Sequence, residues 1–176
     1  MADQEALRAK ARTLAGRDWN LKAIEARYEK LAREGIPRKN LDPKELIARK
    51  QETLDRVQRR GEEYEYLTLN CAKGAALAVM EEFGLGSLDI VKGMNAFPGL
   101  GMKGFTCGPI AGGLFILGQY FGSDDLFDFE ASERAVLAAR KYMSLFEDEV
   151  GTVLCPEIQE MIYGRYFENM EEQAPA

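Results

Sequence analysis

Apolar residues recur at helical spacing along nearly the whole chain, and strand-type alternation is almost absent. The Ala-, Leu-, Arg- and Glu-rich stretch 3–15 predicts a first helix, closed by Gly16. Leu21, Ile24, Tyr28 and Leu31 then fall three and four residues apart, which predicts an amphipathic helix over 19–34. Gly35-Ile36-Pro37 ends it. Asp42-Pro43-Lys44-Glu45 has the marks of a helix start, with Asp to cap, Pro in the first turn and Glu three residues after the cap. That helix is expected to reach about Arg60, with Leu46, Ile47, Leu54 and Val57 turned inward.

From Glu63 to Phe83 the pattern predicts one buried helix, in which Cys71, Gly74, Ala75 and Ala78 share a face of small residues. Such a face lets another backbone approach closely, and the glycines of the Cys107 helix are the expected neighbour. Gly84-Leu85-Gly86 caps this helix. A shorter helix runs over 87–97, with Leu88, Ile90, Val91 and Met94 apolar, and Pro98 stops it. A glycine-rich approach (Gly99, Gly101, Gly104) then enters Thr106-Cys107-Gly108-Pro109 and a helix to Phe121 that is apolar all round. Thr106 is the expected N-cap and Cys107 a first-turn residue, where the helix dipole favours thiolate. After the acidic loop 123–130 comes an amphipathic helix over 131–149, with Val136, Leu137, Tyr142, Met143 and Phe146 apolar. Cys155-Pro156-Glu157 opens a last helix to about Tyr166, and an acidic tail from Glu168 is expected to fray.

This pattern implies an all-α fold, a compact helical bundle of about five helices preceded by an N-terminal helical arm. Charge supports a division near Gly61. Residues 1–60 hold 16 Lys+Arg against 10 Asp+Glu, a net of +6, while residues 61–176 carry a net of −12. Residues 1–60 read as a basic arm and residues 61–176 as an acidic, cysteine-containing domain. An acidic body and an arm with few aromatics argue against nucleic acid as a partner. The arm's charged faces suit solvent or docking on the acidic body.

The chain has 176 residues, ordinary globular composition and no apolar run long enough to span a bilayer. Its charged start has no apolar signal region, so a cytoplasmic location is the default expectation. Histidine is absent, which removes Ser-His-Asp and Cys-His triads and His-ligated zinc or haem. No CxxCH occurs, so covalent c-type haem is not expected. Three cysteines, Cys71, Cys107 and Cys155, stand 36 and 48 residues apart without a CxxC pair. Lys103 could lower the Cys107 pKa or be a solvated loop lysine, and Glu157 could be a ligand or a helix-start carboxylate.

The cysteine contexts resemble the C-GCAxxG-C-C family, small proteins named for their cysteines and described as redox-active. The resemblance covers Tyr64 to Ile158. It rests on Asn70-Cys71-Ala72 with Glu81-Glu82-Phe83-Gly84-Leu85, and on Cys107-Gly108-Pro109-Ile110-Ala111-Gly112, where Pro109 replaces an alanine. Leu117-Gly118, Tyr120-Phe121-Gly122 and the run from Phe146 through Gly151 to Cys155, Glu157 and Ile158 also match. The family usually carries a fourth cysteine after this point, and this chain has none. The resemblance implies a redox role for the cysteines. Thiolates of Cys71, Cys107 and Cys155 would then bind a metal or an iron–sulfur cofactor, or two of them would cycle as a dithiol. The fourth ligand could be a partner's cysteine, a carboxylate such as Glu157, a substrate or solvent. A homodimer or another protein partner is expected. The alternative is a non-catalytic helical partner or accessory subunit of a larger enzyme, with structural cysteines.

Overall fold

Side-chain caps start five of the helices. In the computed structural model, which describes residues 3–168, Asp3, Asn20, Asp42, Asn70 and Asp128 each accept a backbone N–H from the first turn of the following helix. The order is α1 (Gln4–Ala15), α2 (Leu21–Glu34), α3 (Pro43–Ala48), α4 (Lys50–Thr68), α5 (Cys71–Phe83) and α6 (Leu88–Gly93). A 3₁₀ turn (Met94–Ala96), α7 (Gly99–Met102), α8 (Gly108–Phe121), α9 (Phe129–Val150) and α10 (Cys155–Tyr163) follow. The fold class is all-α, as the pattern predicts. The acidic tail beyond Glu168 lies outside the described residues.

Three expected helices have different bounds. The helix starting at Asp42 is interrupted at Arg49, and its second part, α4, runs through Gly61 to Thr68. The expected single helix 63–83 is broken at Leu69, which adopts the left-handed conformation (φ 48°), and restarts with Asn70 as cap. Apolar periodicity carries across this break, so only the capping chemistry of Asn70 marks it. The last helix ends at Tyr163 rather than Tyr166, closed by Gly164 in the left-handed region.

Helix α5 packs on α4 on one side and on α8 on the other, and α9 covers α8. Tyr64, Leu77, Met80 and Met94 are fully enclosed, and Ile24 and Leu31 of α2 join the same core. Trp19 stacks on Tyr66 with ring centroids 4.9 Å apart. Arg8 of α1 donates to the Met161 carbonyl of α10.

Charge fastens the N-terminal helices as well. Arg27 reaches Glu63 and the Tyr64 hydroxyl, and that hydroxyl donates to Glu81 at 2.6 Å. Glu82 of α5, only 8% exposed, takes Arg56 and Arg60 of α4, each at 2.7 Å. Burial works against ionising Glu82, but the Arg56 hydrogen bond and the charges of Arg56, Arg60 and Lys39 outweigh it, and its pKa is lowered. A lowered carboxylate pKa adds stability above the ordinary carboxylate range, and that stability is lost as pH falls through the folded value. Glu82→Gln is expected to cost about 2 kcal/mol at pH 7, because two arginines lose a largely buried partner. Melting curves from pH 7 to pH 3 check this. The wild-type advantage should shrink toward pH 3, and a difference independent of pH would refute the account.

Among the described residues, no helix is long and apolar enough to cross a membrane.

Candidate functional site

The three cysteines lie on three different helices that begin close together. Cys71 is the first residue of α5, Cys107 the N-cap of α8 and Cys155 the first residue of α10. A single antiparallel bridge between Thr106 and Leu154 fixes the last two starts. In it the Cys107 N–H donates to the Val153 carbonyl and the Cys155 N–H to the Phe105 carbonyl, each at 2.8 Å. Each bond begins at a cysteine's own amide, so the two sulfurs are held in register by backbone. Thr106 is thus committed to the bridge and is not the N-cap. Cys107 takes that place, with Pro109 in the first turn.

Glycines bring α5 to this bridge. A Cβ on Gly108 would lie 2.4 Å from Cys71 Sγ, so that sulfur rests on the glycine next to Cys107. A Cβ on Gly112 would lie 2.7 Å from the Ala72 carbonyl oxygen. The face of α5 that meets α8 is therefore Cys71–Ala72. Gly74 and Ala78, expected on the same contact, turn instead toward α4, where Gly74 meets Glu65 and Ala78 meets Gly61. Gly99, held at φ 51°, comes over Cys155, where its Cβ would stand 3.5 Å from the sulfur. Gln159 donates to Cys155 Sγ at 3.3 Å.

The electrostatics reverse one expectation. Burial pushes the Cys71 thiol up to about 12, with the negative charges of Glu65 and Cys155 adding to it. Cys107 is raised too, by burial first and then by Cys71, Cys155 and Glu65. Cys155 is raised by burial, against the Gln159 hydrogen bond. The Gly108 N–H at the start of α8 does favour a Cys107 thiolate, but desolvation and three negative neighbours win. Lys103 is exposed and does not enter the balance at Cys107. Glu157 is exposed and hydrogen-bonded to Thr152 at the start of α10.

Sequence reasoning missed two residues here. Tyr142 of α9 closes the site behind Cys107, its hydroxyl donating to the Pro109 carbonyl at 3.0 Å and its ring packed on Gly113. Glu65 of α4 has its backbone against Gly74 of α5, near enough for its charge to raise Cys71, Cys107 and Tyr163. Nothing in the periodicity marks either one, since both sit in ordinary helical positions. A groove lined by Arg17, Trp19, Arg27, Arg59 and Glu62 lies on the N-terminal helices and contains none of the cysteines.

The donors are chemically suited to soft metals, as three sulfurs and a carboxylate with no cation among them. Among the described residues, no three His, Cys, Asp or Glu side chains are arranged to hold a metal ion.

No curated protein and no solved structure matches this chain. A family model described as "Putative redox-active protein (C_GCAxxG_C_C)" matches residues 69–175, more than half of the chain. The match begins one residue before the Asn70 cap and takes in all three cysteine helices, leaving α1 to α4 outside it. With its three cysteine starts gathered at one bridge, the chain belongs to the C_GCAxxG_C_C family of putative redox-active proteins.

Proposed function

We propose that this protein is redox-active through an iron–sulfur or related metal cofactor held by Cys71, Cys107 and Cys155. The observation that carries this reading is the convergence of three sulfurs from three helix starts, around which negative charge accumulates and no cation stands. Deprotonating all three thiols in that setting is costly unless a cation compensates, and a bound metal supplies that compensation. Such a group supplies one-electron transfer. The chain's own residues bind it through sulfur, exclude water with Tyr142 and the apolar α8, and leave backbone room at Gly99 and Gly108.

A protein partner, a second copy of this chain or another protein, is part of the reading. Leu126, Phe127 and Phe129 are 91%, 78% and 75% exposed, a run of bulky apolar side chains in water.

The test is anaerobic purification followed by iron and sulfide analysis and absorption spectroscopy, with sedimentation to read the subunit mass. Protein carrying iron and sulfide is expected. Each of Cys71→Ser, Cys107→Ser and Cys155→Ser should retain at least about tenfold less iron while keeping its helical circular dichroism. Colourless protein that cannot be reconstituted, with all three variants behaving as wild type, would sink the cofactor reading.

A second reading draws on the contact of Cys71 Sγ with Gly108, the neighbour of Cys107. There the two thiols would join as a disulfide, giving two electrons and two protons to an oxidant such as another protein's disulfide. An iron-free protein in which Cys71 and Cys107 form a reversible disulfide would favour it.

A further inference from the structure

We propose that the outward face of α9 is the contact surface for a second copy of this chain, laid antiparallel to the first across a two-fold axis at Leu137. This names the protein partner of the reading above and rests on that part of it alone, with no cofactor involved.

The packing of α9 is one-sided. It is the longest helix among the described residues, with 22 residues, and α8 is the one element on which it packs extensively. The side that carries Tyr142, which donates to the Pro109 carbonyl of α8, is covered. On the other side Phe129, Val136, Leu137 and Leu145 are 75%, 58%, 55% and 53% exposed. The loop before the helix adds Leu126 and Phe127, also exposed. A helix with large apolar residues on both sides has a second face to cover.

What covers it is set by the order of residues along one row. Phe129, Glu133, Leu137, Lys141 and Leu145 follow one another at four-residue intervals, and all five are exposed. Interdigitation of such rows is the commonest mode of helix packing. The row reads apolar, acidic, apolar, basic, apolar. Reversed about Leu137, it meets itself with every position matched. Phe129 falls on Leu145 of the second copy, Glu133 on its Lys141, and Leu137 on its Leu137. A two-fold axis makes each off-axis contact twice. Arg140, exposed beside Lys141, adds a second positive charge near Glu133 of the second copy. A parallel pair would set Glu133 against Glu133 and Lys141 against Lys141, so charge selects the antiparallel arrangement.

Within one chain these two charges have no such match. Their neighbours along the row are apolar, and the one ion pair on α9 among the described residues joins Glu130 to Arg134. A partner of another kind would have to present an acid and a base in this same order. A second copy carries them at the required spacing by construction. The row spans about 24 Å at 1.5 Å per residue. Leu126 and Phe127 extend it past the helix start, toward the C-terminal end of α9 in the second copy.

The test is sedimentation equilibrium of the full-length protein at low salt, from about 1 to about 200 μM, the range in which modest interfaces dissociate. A concentration-dependent mass approaching twice that of the chain is expected. Glu133→Lys and Lys141→Glu each turn two attractive pairs into two repulsive ones, so each should weaken the dimer at least about tenfold. The double variant Glu133→Lys/Lys141→Glu restores opposite charges and should return to within about threefold of wild type. Leu137→Asp sets two carboxylates against each other at the axis and should be monomeric over the same range. All three positions are exposed, so each variant should keep its helical circular dichroism and its melting temperature as a monomer.

Wild type that stays monomeric over the whole range would overturn the inference, as would a dimer that all four variants leave intact. Single variants that weaken the dimer without recovery in the double variant would overturn the antiparallel register, and the inference with it. Iron and sulfide measured on the same samples test the cofactor reading separately. An iron-free dimer that responds as described supports this inference and removes the cofactor, and an iron-loaded monomer does the reverse.

Discussion

In reduced, metal-free protein at pH 8, Cys71 is expected to react with iodoacetamide at least about a hundredfold more slowly than in the same chain unfolded in urea. The thiolate is the reacting form. Burial, Glu65 and Cys155 raise the Cys71 pKa from an ordinary 9.0 to about 12, and each unit removes about tenfold of the thiolate at a pH below both values. The pH profile carries the stronger signature. In the unfolded chain the rate should level off near pH 9, whereas in the folded protein it should keep climbing toward pH 12. The same shift makes a statement about stability. A raised thiol pKa means that the folded state holds its proton longer, so the contribution is present below pH 9 and is lost as pH rises from about 9 toward 12. Under the cofactor proposal it would also make metal uptake pH-dependent, because each sulfur that binds must release its proton. A folded-state profile that levels off near pH 9 would contradict the account of the site.

The second large effect is mechanical. Gly74→Ala and Gly112→Ala are each expected to destabilise the fold by about 2–3 kcal/mol, roughly 5–10 °C in Tm for a chain of this size. At Gly74 the new methyl would meet the Glu65 backbone at 2.8–2.9 Å, and at Gly112 the Ala72 carbonyl oxygen at 2.7 Å. Those neighbours are backbone atoms that cannot swing aside, so whole helices must separate. The helix-propensity gain from Gly to Ala, about 1 kcal/mol, does not offset this. Gly118 supplies the control. It lies in the same helix as Gly112 but a Cβ there would meet nothing within 4 Å, so Gly118→Ala should be neutral or stabilising by up to about 1 kcal/mol. Thermal melts of the three variants decide the matter. Equal effects at Gly74, Gly112 and Gly118 would mean that close helix approach is not what these glycines provide. Because Gly112 lets α5 approach α8, its alanine variant should also move Cys71 away from Cys107.

Both expectations depend on features of different legibility. The helical character of the chain was readable because apolar spacing is a local property, repeated every three or four residues along α2, α5 and α9. The Asp42-Pro43 start was readable because capping uses adjacent residues. The break at Leu69–Asn70 was missed because the apolar pattern runs straight through it, although Asn70 carried the capping signal. Thr106 was misplaced as a cap because its partner, Leu154, lies 48 residues away, and pairing over that distance leaves no local trace.

The amino-acid sequence by itself determined an all-α chain, two cysteines, Cys107 and Cys155, set close to helix starts, and the motif spacing that marks the family. Each of these depends on neighbours in the chain and on residue type. The tertiary structure alone decided which groups meet. The Thr106–Leu154 bridge sets Cys107 and Cys155 side by side, Gly108 admits Cys71, and Gly74 lets the α4 backbone at Glu65 sit on α5. It also decided the sign of the thiol pKa shifts. Charge and burial act through space, so the favourable helix start at Cys107, visible in sequence, is outweighed by desolvation and by anions from α4, α5 and α10 that only the fold brings near.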